Sequence, residues 1–236
     1  LWRKLKLEQD IKFYLKSALK EDIGNGDHTS LACIPKNDKG QVKLVAKENG
    51  IIAGIEISKI LFQILDNELE VKYFKKDGEV VYKGEKIFKL KGNLHTILSI
   101  ERLLLNIMQR MSGIASLTKQ YVDQINDLEV KILDTRKTTP NFRLFQKMAV
   151  KIGGAENHRH GLYDMILIKD NHIDFAGGIK NAINSTNKYI KDNHLDLDII
   201  IEARNIEEIK EILDCNENFK RILLDNFSPE EMTSAI

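Results

Sequence analysis

The chain has 236 residues, 42% of them hydrophobic and 30% charged, the balance of an ordinary soluble globular protein long enough to bury a sizeable core. Its 36 basic and 35 acidic residues nearly cancel, which argues against nucleic acid as a general partner. No apolar run approaches the roughly 20 residues that span a bilayer, so no membrane association is expected. The N-terminal LWRKLKLEQD lacks the apolar stretch of a secretory signal and does not open with Met, so the reading frame is expected to start upstream. Cys33 and Cys215 lie far apart with no metal-like spacing and read as two reduced, buried thiols of a cytoplasmic protein.

In chain order, Ile11, Tyr14, Leu15, Ala18 and Leu19 fall on one face and predict an amphipathic helix over 8–20. EDIGNGDHTS (21–30) reads as a loop because of its two glycines and Asp27. Alternation in QVKLVA (41–46) predicts a half-buried strand. Gly50 and Gly54 bracket a turn before an apolar helix over 55–65. Leu69, Val71 and Tyr73 alternate again, and DGEVVYKGEKIFKLKG predicts two short strands around Gly84. The longest helical pattern runs over 96–125 through Ile97, Ile100, Leu104, Ile107, Met108 and Met111. Ser112-Gly113 interrupts it and predicts a break or domain junction. The expected division is therefore a domain over 1–112 and a second over 113–236.

Beyond residue 128 short apolar runs alternate with helical stretches: VKILDT then FRLFQKMAVKI, MILIKD then GIKNAINSTNKYIK, DIIIEA then IEEIKEIL, RILLDN then PEEMTSAI. Four β-then-α units in series predict a parallel sheet covered by helices. Four units are too few to close an eight-stranded barrel, which leaves an open sheet or strands outside these residues. Each predicted strand ends in polar residues: Asp134-Thr135-Arg136-Lys137, Lys169-Asp170, Glu202-Ala203-Arg204 and Asp225-Asn226. Active sites of α/β folds lie at the C-terminal ends of strands.

Residues 131–172 concentrate positive charge, with Arg136, Lys137, Arg143, Lys147, Lys151, Arg159 and Lys169, beside His158, His160 and His172. Arg binds carboxylate or phosphate bidentately and Lys adds a point charge, so several converging cations point to a small, multiply charged anion. Glu202 and Asp225 cannot bind that anion and better suit ribose hydroxyls or Mg²⁺. Lys147 and Lys151, four apart on one helix, read as solvated. Asp134 reads as a catalytic acid or as a structural group holding the TRK loop. His172 reads as a cap for the segment that follows it. Gly153-Gly154 suits a phosphate cradle or a helix-ending turn.

At EDIGNGDHTS (21–30), ERLLLNIMQRMSGIAS (101–116), LDTRKTTP (133–140), GGAENHRHGLYDMILIKDNH (153–172), IIIEARN (199–205) and LLDNFS (223–228) the sequence resembles the quinolinate phosphoribosyltransferase family. These pieces occur in the family's order over nearly the whole chain. The resemblance implies an α/β fold: an N-terminal α/β sandwich-like domain followed by an incomplete β/α barrel. It implies phosphoribosyl transfer from phosphoribosyl pyrophosphate to quinolinate with loss of CO₂, giving nicotinate mononucleotide and pyrophosphate, with Mg²⁺ as cofactor. It also implies a homodimer with shared active sites, and allows a trimer of dimers. Arg102 would reach into the partner's site. Arg136, His158 and Arg159 would hold the two carboxylates of quinolinate. Thr135, Lys137 and Lys169 would line the site and neutralise charge, and Glu202 and Asp225 would meet ribose and metal. Lys137, Lys169, Glu202 and Asp225 are the expected catalytic residues.

The sequence departs from the family where PGLR becomes Pro140-Asn141-Phe142-Arg143 and GGG becomes Gly153-Gly154-Ala155. The family's later glycine-rich phosphate-binding segments, past the LDN strand, do not occur in these 236 residues.

Overall fold

The computed structural model describes residues 2–65, 68–215 and 219–236. The chain forms two compact units, Leu1–His158 and Arg159–Ile236.

The first unit contains helices α1 (Trp2–Ile23) and α2 (His28–Cys33), strands β1 (Lys39–Val45) and β2 (Gly50–Ile51), and helix α3 (Ile55–Leu65). Strands β3 (Glu70–Tyr73), β4 (Val80–Val81) and β5 (Lys86–Asn93) follow, then helices α4 (Leu94–Gln124) and α5 (Arg143–Ile152). The three-stranded sheet has the order β1-β5-β3 and is antiparallel. Its register places Leu44 beside Phe88 beside Tyr73, and Val42 beside Leu90 beside Val71, so one face is apolar. Phe88 and Leu90 from that face join Ile55, Ile57 and Leu61 of α3 and Ile97, Ile100 and Leu104 of α4 in one core. α1 adds Ile11, Leu15 and Leu19 at four-residue spacing, one stripe of a 3.6-residue helix.

Two expectations change here. EDIGNGDHTS is not one long loop: α1 runs to Ile23, and α2 starts at His28, where Asp27 accepts the Ser30 backbone N–H at 3.1 Å as an N-cap. Nor is α4 broken at Ser112-Gly113; it is continuous from Leu94 to Gln124. Ser112 Oγ instead bonds the Ala53 backbone, accepting from its N–H at 3.0 Å and donating to its carbonyl at 3.2 Å. Ser116 Oγ accepts the Ile51 N–H at 2.8 Å. Ser112, read from sequence as part of a break, and Ser116 one turn on dock α4 against the backbone beside β2.

The second unit alternates β6 (Ile166–Ile168), α6 (Asp170–Ala176), α7 (Ile179–Asp192), β7 (Ile199–Ala203), α8 (Ile206–Asp214), β8 (Arg221–Leu224) and α9 (Pro229–Ala235). Its sheet is parallel, in the order β6-β7-β8, and the barrel is not closed. All five residues of β7 are buried, as a central parallel strand covered by helices requires. Ile183 of α7 and Ile212 of α8 pack on Ile201 and Ala203 in a core of its own.

The first predicted β/α unit loses its strand. Around VKILDT only Leu133 pairs, in an isolated parallel bridge to Glu156. The bridging hydrogen bonds are Glu156 N–H to Ile132 O at 2.9 Å and Asp134 N–H to Glu156 O at 3.2 Å. α5 ends just before, at Ile152, so little extended backbone is available to make a ladder. Cys33 is exposed and Cys215 half-buried, so neither is the buried thiol expected. Among the described residues no helix is long and apolar enough to cross a membrane.

Candidate active site

In the first unit the TRKTTP segment is an irregular loop tied down by its own backbone and by two helices. Thr135 Oγ1 accepts the Lys137 N–H at 3.0 Å, and the Arg136 carbonyl accepts the Thr138 N–H at 2.9 Å. Arg143 Nε donates to Thr138 Oγ1 at 3.0 Å from α5, and Arg110 Nη2 to Thr139 Oγ1 at 3.2 Å from α4. Gln146 Oε1 accepts the Thr139 N–H at 2.8 Å. Thr135 and Lys137 are exposed, whereas Arg136 is half-buried. Among the described residues, Arg136 Nε is buried with no hydrogen-bond partner. A buried charged donor left unmatched is costly, and its site is complete only when an acceptor arrives. Arg102 is exposed on α4.

Asp134 and Lys147 overturn one expectation and decide between two others. Lys147 is 2% exposed, not solvated. Its Nζ donates to Asp134 Oδ1 and, at 3.0 Å, to the His158 carbonyl. The same Asp134 oxygen accepts the His158 N–H at 2.8 Å. In the rotation that satisfies both of its atoms, the Asn157 amide donates to Asp134 Oδ2 at 2.8 Å and to the Lys147 carbonyl at 3.0 Å. Asp134 therefore holds structure together. Gly153-Gly154 is the helix-ending turn: α5 stops at Ile152, and Gly154 takes φ +97°. A Cβ at Gly153 would stand 2.5 Å from the Ala115 carbonyl oxygen, so only glycine allows that approach to α4.

The departures from the family pattern suit the backbone. Asn141 adopts φ 60°, a left-handed conformation that Asn tolerates better than most residues, so it can stand where glycine is usual. Ala155 is buried and is not among the residues with positive φ.

In the second unit the parallel register brings three candidates to neighbouring strand ends. Ile168 of β6 pairs with Ile201 of β7, and Ala203 of β7 with Leu224 of β8. Lys169 and Glu202 are thus next in line on adjacent strands, and Asp225 follows on the third. Lys169 Nζ donates to Glu202 Oε1 at 2.8 Å. The Glu202 side chain is 8% exposed and that of Lys169 is 45% exposed, so the pair reaches from the interior to the surface. One of the three ammonium donors is used by Glu202, which leaves others for an anion. The Asp225 N–H bonds the Ala203 carbonyl at 3.0 Å, and its carboxylate accepts from Asn226 Nδ2 at 3.1 Å. His172 does not precede the segment it was expected to cap: it lies in the first turn of α6, and its Nδ1 accepts the Lys169 N–H at 2.9 Å.

Arg159 is buried, and its Nη1 donates to the Met165 carbonyl at 3.3 Å. Asp164 was not singled out from sequence, yet it closes this loop by accepting the His160 and Gly161 N–H groups at 2.7 and 2.8 Å. Burial raises its pKa, but those backbone donors outweigh burial and hold the carboxyl below its ordinary value. An Asx-turn pattern could not have found it, because its partners lie three and four residues before it and not two residues after. Among the described residues no three His, Cys, Asp or Glu side chains cluster to cage a metal ion by themselves.

Comparison with known proteins finds two matching family models. "Quinolinate phosphoribosyl transferase, N-terminal domain" matches residues 27–112, and the C-terminal domain of the same name matches 114–236. A nicotinate-nucleotide pyrophosphorylase (carboxylating), chloroplastic, of Arabidopsis thaliana is 47% identical over 222 residues, 92% of this chain. The chain spans 63% of that relative's length. A probable nicotinate-nucleotide pyrophosphorylase (carboxylating) of Synechocystis sp. is 38% identical, over 94% of this chain and 74% of the relative. Among solved structures, NadC from Streptococcus pyogenes superimposes with a TM-score of 0.86 at 36% identity, over 94% of this chain and 76% of that one. The Francisella tularensis nicotinate-nucleotide pyrophosphorylase gives 0.87 at 34% identity, over 97% and 79%.

Proposed function

The chain belongs to the quinolinate phosphoribosyl transferase family, and on that premise we propose that it transfers a phosphoribosyl group from phosphoribosyl pyrophosphate to quinolinate. The products are nicotinate mononucleotide, pyrophosphate and CO₂. The observation that carries this reading is the buried Arg136 Nε, a charged donor with no partner among the described residues, in a loop braced from two helices. Such a donor suits a carboxylate, which guanidinium meets bidentately.

In this reading Arg136, His158 and Arg159 hold the quinolinate carboxylates, and Thr135, Lys137 and Lys169 orient the substrates and neutralise charge. Glu202 and Asp225 take the ribose hydroxyls. The pyridine nitrogen forms a bond to ribose C1 as the bond from C1 to pyrophosphate breaks. Catalysis is then positioning and charge stabilisation, with no nucleophilic side chain required. Once the ring nitrogen is quaternary, it stabilises the electron pair left when the adjacent carboxylate departs as CO₂, and a proton takes its place.

Glu202 and Asp225 fit Mg²⁺, an ion bound by one or two carboxylates together with substrate phosphates and water, with no all-protein cage. When bound, the ion supplies charge neutralisation to the leaving pyrophosphate. The exposure of Arg102 on α4 supports a homodimer in which it reaches the partner's site. The widely spaced Cys33 and Cys215 suit a reducing compartment, and we place the protein in the cytoplasm. The Arabidopsis relative, by contrast, is named as chloroplastic.

Titration calorimetry with quinolinate and nicotinate tests the assignment. Hydrogen bonds to charged groups contribute ~1.5–3 kcal/mol, so the second carboxylate should tighten binding at least about tenfold, and Arg136→Ala should remove most of that preference. Equal affinity for the two acids, or an Arg136→Ala variant that keeps the preference, would overturn it.

A further inference from the structure

The mechanism above uses neither Lys147 nor Asp134, although they form the most deeply buried ion pair in the described part of the chain, with side chains 3% and 8% exposed. Burying two charges is expensive, and an apolar pair of the same volume would often serve stability equally well. An apolar pair could not do what these two side chains do to residue 158. Lys147 Nζ donates to the His158 carbonyl at 3.0 Å, and Asp134 Oδ1 accepts the His158 N–H at 2.8 Å. Residues 157–159 belong to no helix or strand, so no ladder offers those two peptide groups a partner. Asn157 closes the arrangement from the adjoining position, bonding Asp134 Oδ2 and the Lys147 carbonyl.

We propose that Asp134 and Lys147 are positioning residues, a two-sided clamp on the backbone of His158 that fixes where its imidazole points and so sets affinity for the pyridine dicarboxylate. This rests on the assignment of His158 as a carboxylate ligand. The pair bonds both backbone polar groups of one residue, one in each of the two peptides that flank its Cα, so neither peptide can turn or shift without breaking a bond to a buried charge. At metal sites, removing a group that orients a ligating side chain costs about ten- to hundredfold in affinity, and the lower end of that scale is the expectation for this clamp.

The test combines a double-mutant cycle on quinolinate binding with NMR of the histidine rings, using Lys147→Met, His158→Ala and their combination. The His158 signal is assigned by its loss in His158→Ala. Lys147→Met should shift or broaden the His158 signal and leave the remaining histidines in place. It should weaken quinolinate binding about tenfold in the wild-type background and less than about twofold when His158 is already Ala. If Lys147→Met does not fold, Asp134→Leu with Lys147→Met, which leaves no lone buried charge, carries the same comparison. An unmoved His158 signal, or an equal loss of affinity in both backgrounds, overturns the clamp. Should His158→Ala alone bind quinolinate like wild type, the ligand assignment fails, and the clamp is judged by the His158 signal alone.

Discussion

The Asp164 carboxylate accepts the His160 and Gly161 amide protons and so ties off the loop that begins at Arg159. Those bonds hold its pKa below 3.8 against the opposing effect of burial. A carboxyl with a depressed folded pKa adds stability that is full above the unfolded value, here 3.8, and is lost as pH falls through the lower folded value. Urea unfolding of wild type and Asp164→Asn should therefore show a gap in favour of wild type from pH 7 down to about pH 4 that closes towards pH 2. A gap that does not change with pH would show that the charge of Asp164 is irrelevant. At this scale the sequence exposed residues whose type and place already imply chemistry: Arg136, Lys169, Glu202 and Asp225 were legible as polar groups ending apolar runs. Lys147 was not. It lies half a turn around α5 from the buried Phe145, on the side that periodicity assigns to water, and is covered by Asp134 and residues 157–158. Local periodicity carries no information about which distant segment crosses a helix face.

α4 shows the same limit for a whole element. Its apolar stripe was read correctly, and Ser112-Gly113 was taken for a break or a domain junction because serine and glycine are weak helix formers; the helix does not break there, although the two family models divide at that point. Ser112 is there to bond the Ala53 backbone, a partner 59 residues away. Gly113 is exposed in mid-helix, and a Cβ there would meet no atom within 4 Å. Gly113→Ala should then stabilise the protein by about 0.5–1 kcal/mol. Ser112→Ala, one residue earlier, should cost about 1 kcal/mol or more by stranding the Ala53 N–H and carbonyl. Chemical denaturation of the two variants checks both signs, and a destabilised Gly113→Ala would contradict the continuous, solvent-facing helix. Strands were legible where alternation and a long partner coincide, as over Lys39–Val45 and Lys86–Asn93, which pair along their length. VKILDT has the apolar content of a strand, but it keeps only the Leu133 bridge because its partner segment at Glu156 is so short. Strand formation depends on the partner as much as on the segment.

For the whole molecule, the order of elements carried the fold class. Antiparallel strands with long helices come first, and β/α alternation with an open, parallel three-stranded sheet follows. The chain divides into its compact units between His158 and Arg159, within the 131–172 stretch, where composition gives no sign of a boundary. The family was legible because TRKTTP and NHR…LIKDNH gather cations that bulk charge, nearly zero here, conceals, while IIIEARN and LLDNFS add Glu202 and Asp225 at later strand ends. The central claim is phosphoribosyl transfer coupled to decarboxylation, and the direct measurement is product analysis. Protein incubated with quinolinate, phosphoribosyl pyrophosphate and Mg²⁺ should release nicotinate mononucleotide and CO₂ in equal amounts. Glu202→Gln should lower kcat by about 10²–10³-fold, the range for loss of one preorganised electrostatic group. Absence of nicotinate mononucleotide, or CO₂ released without it, would contradict the account.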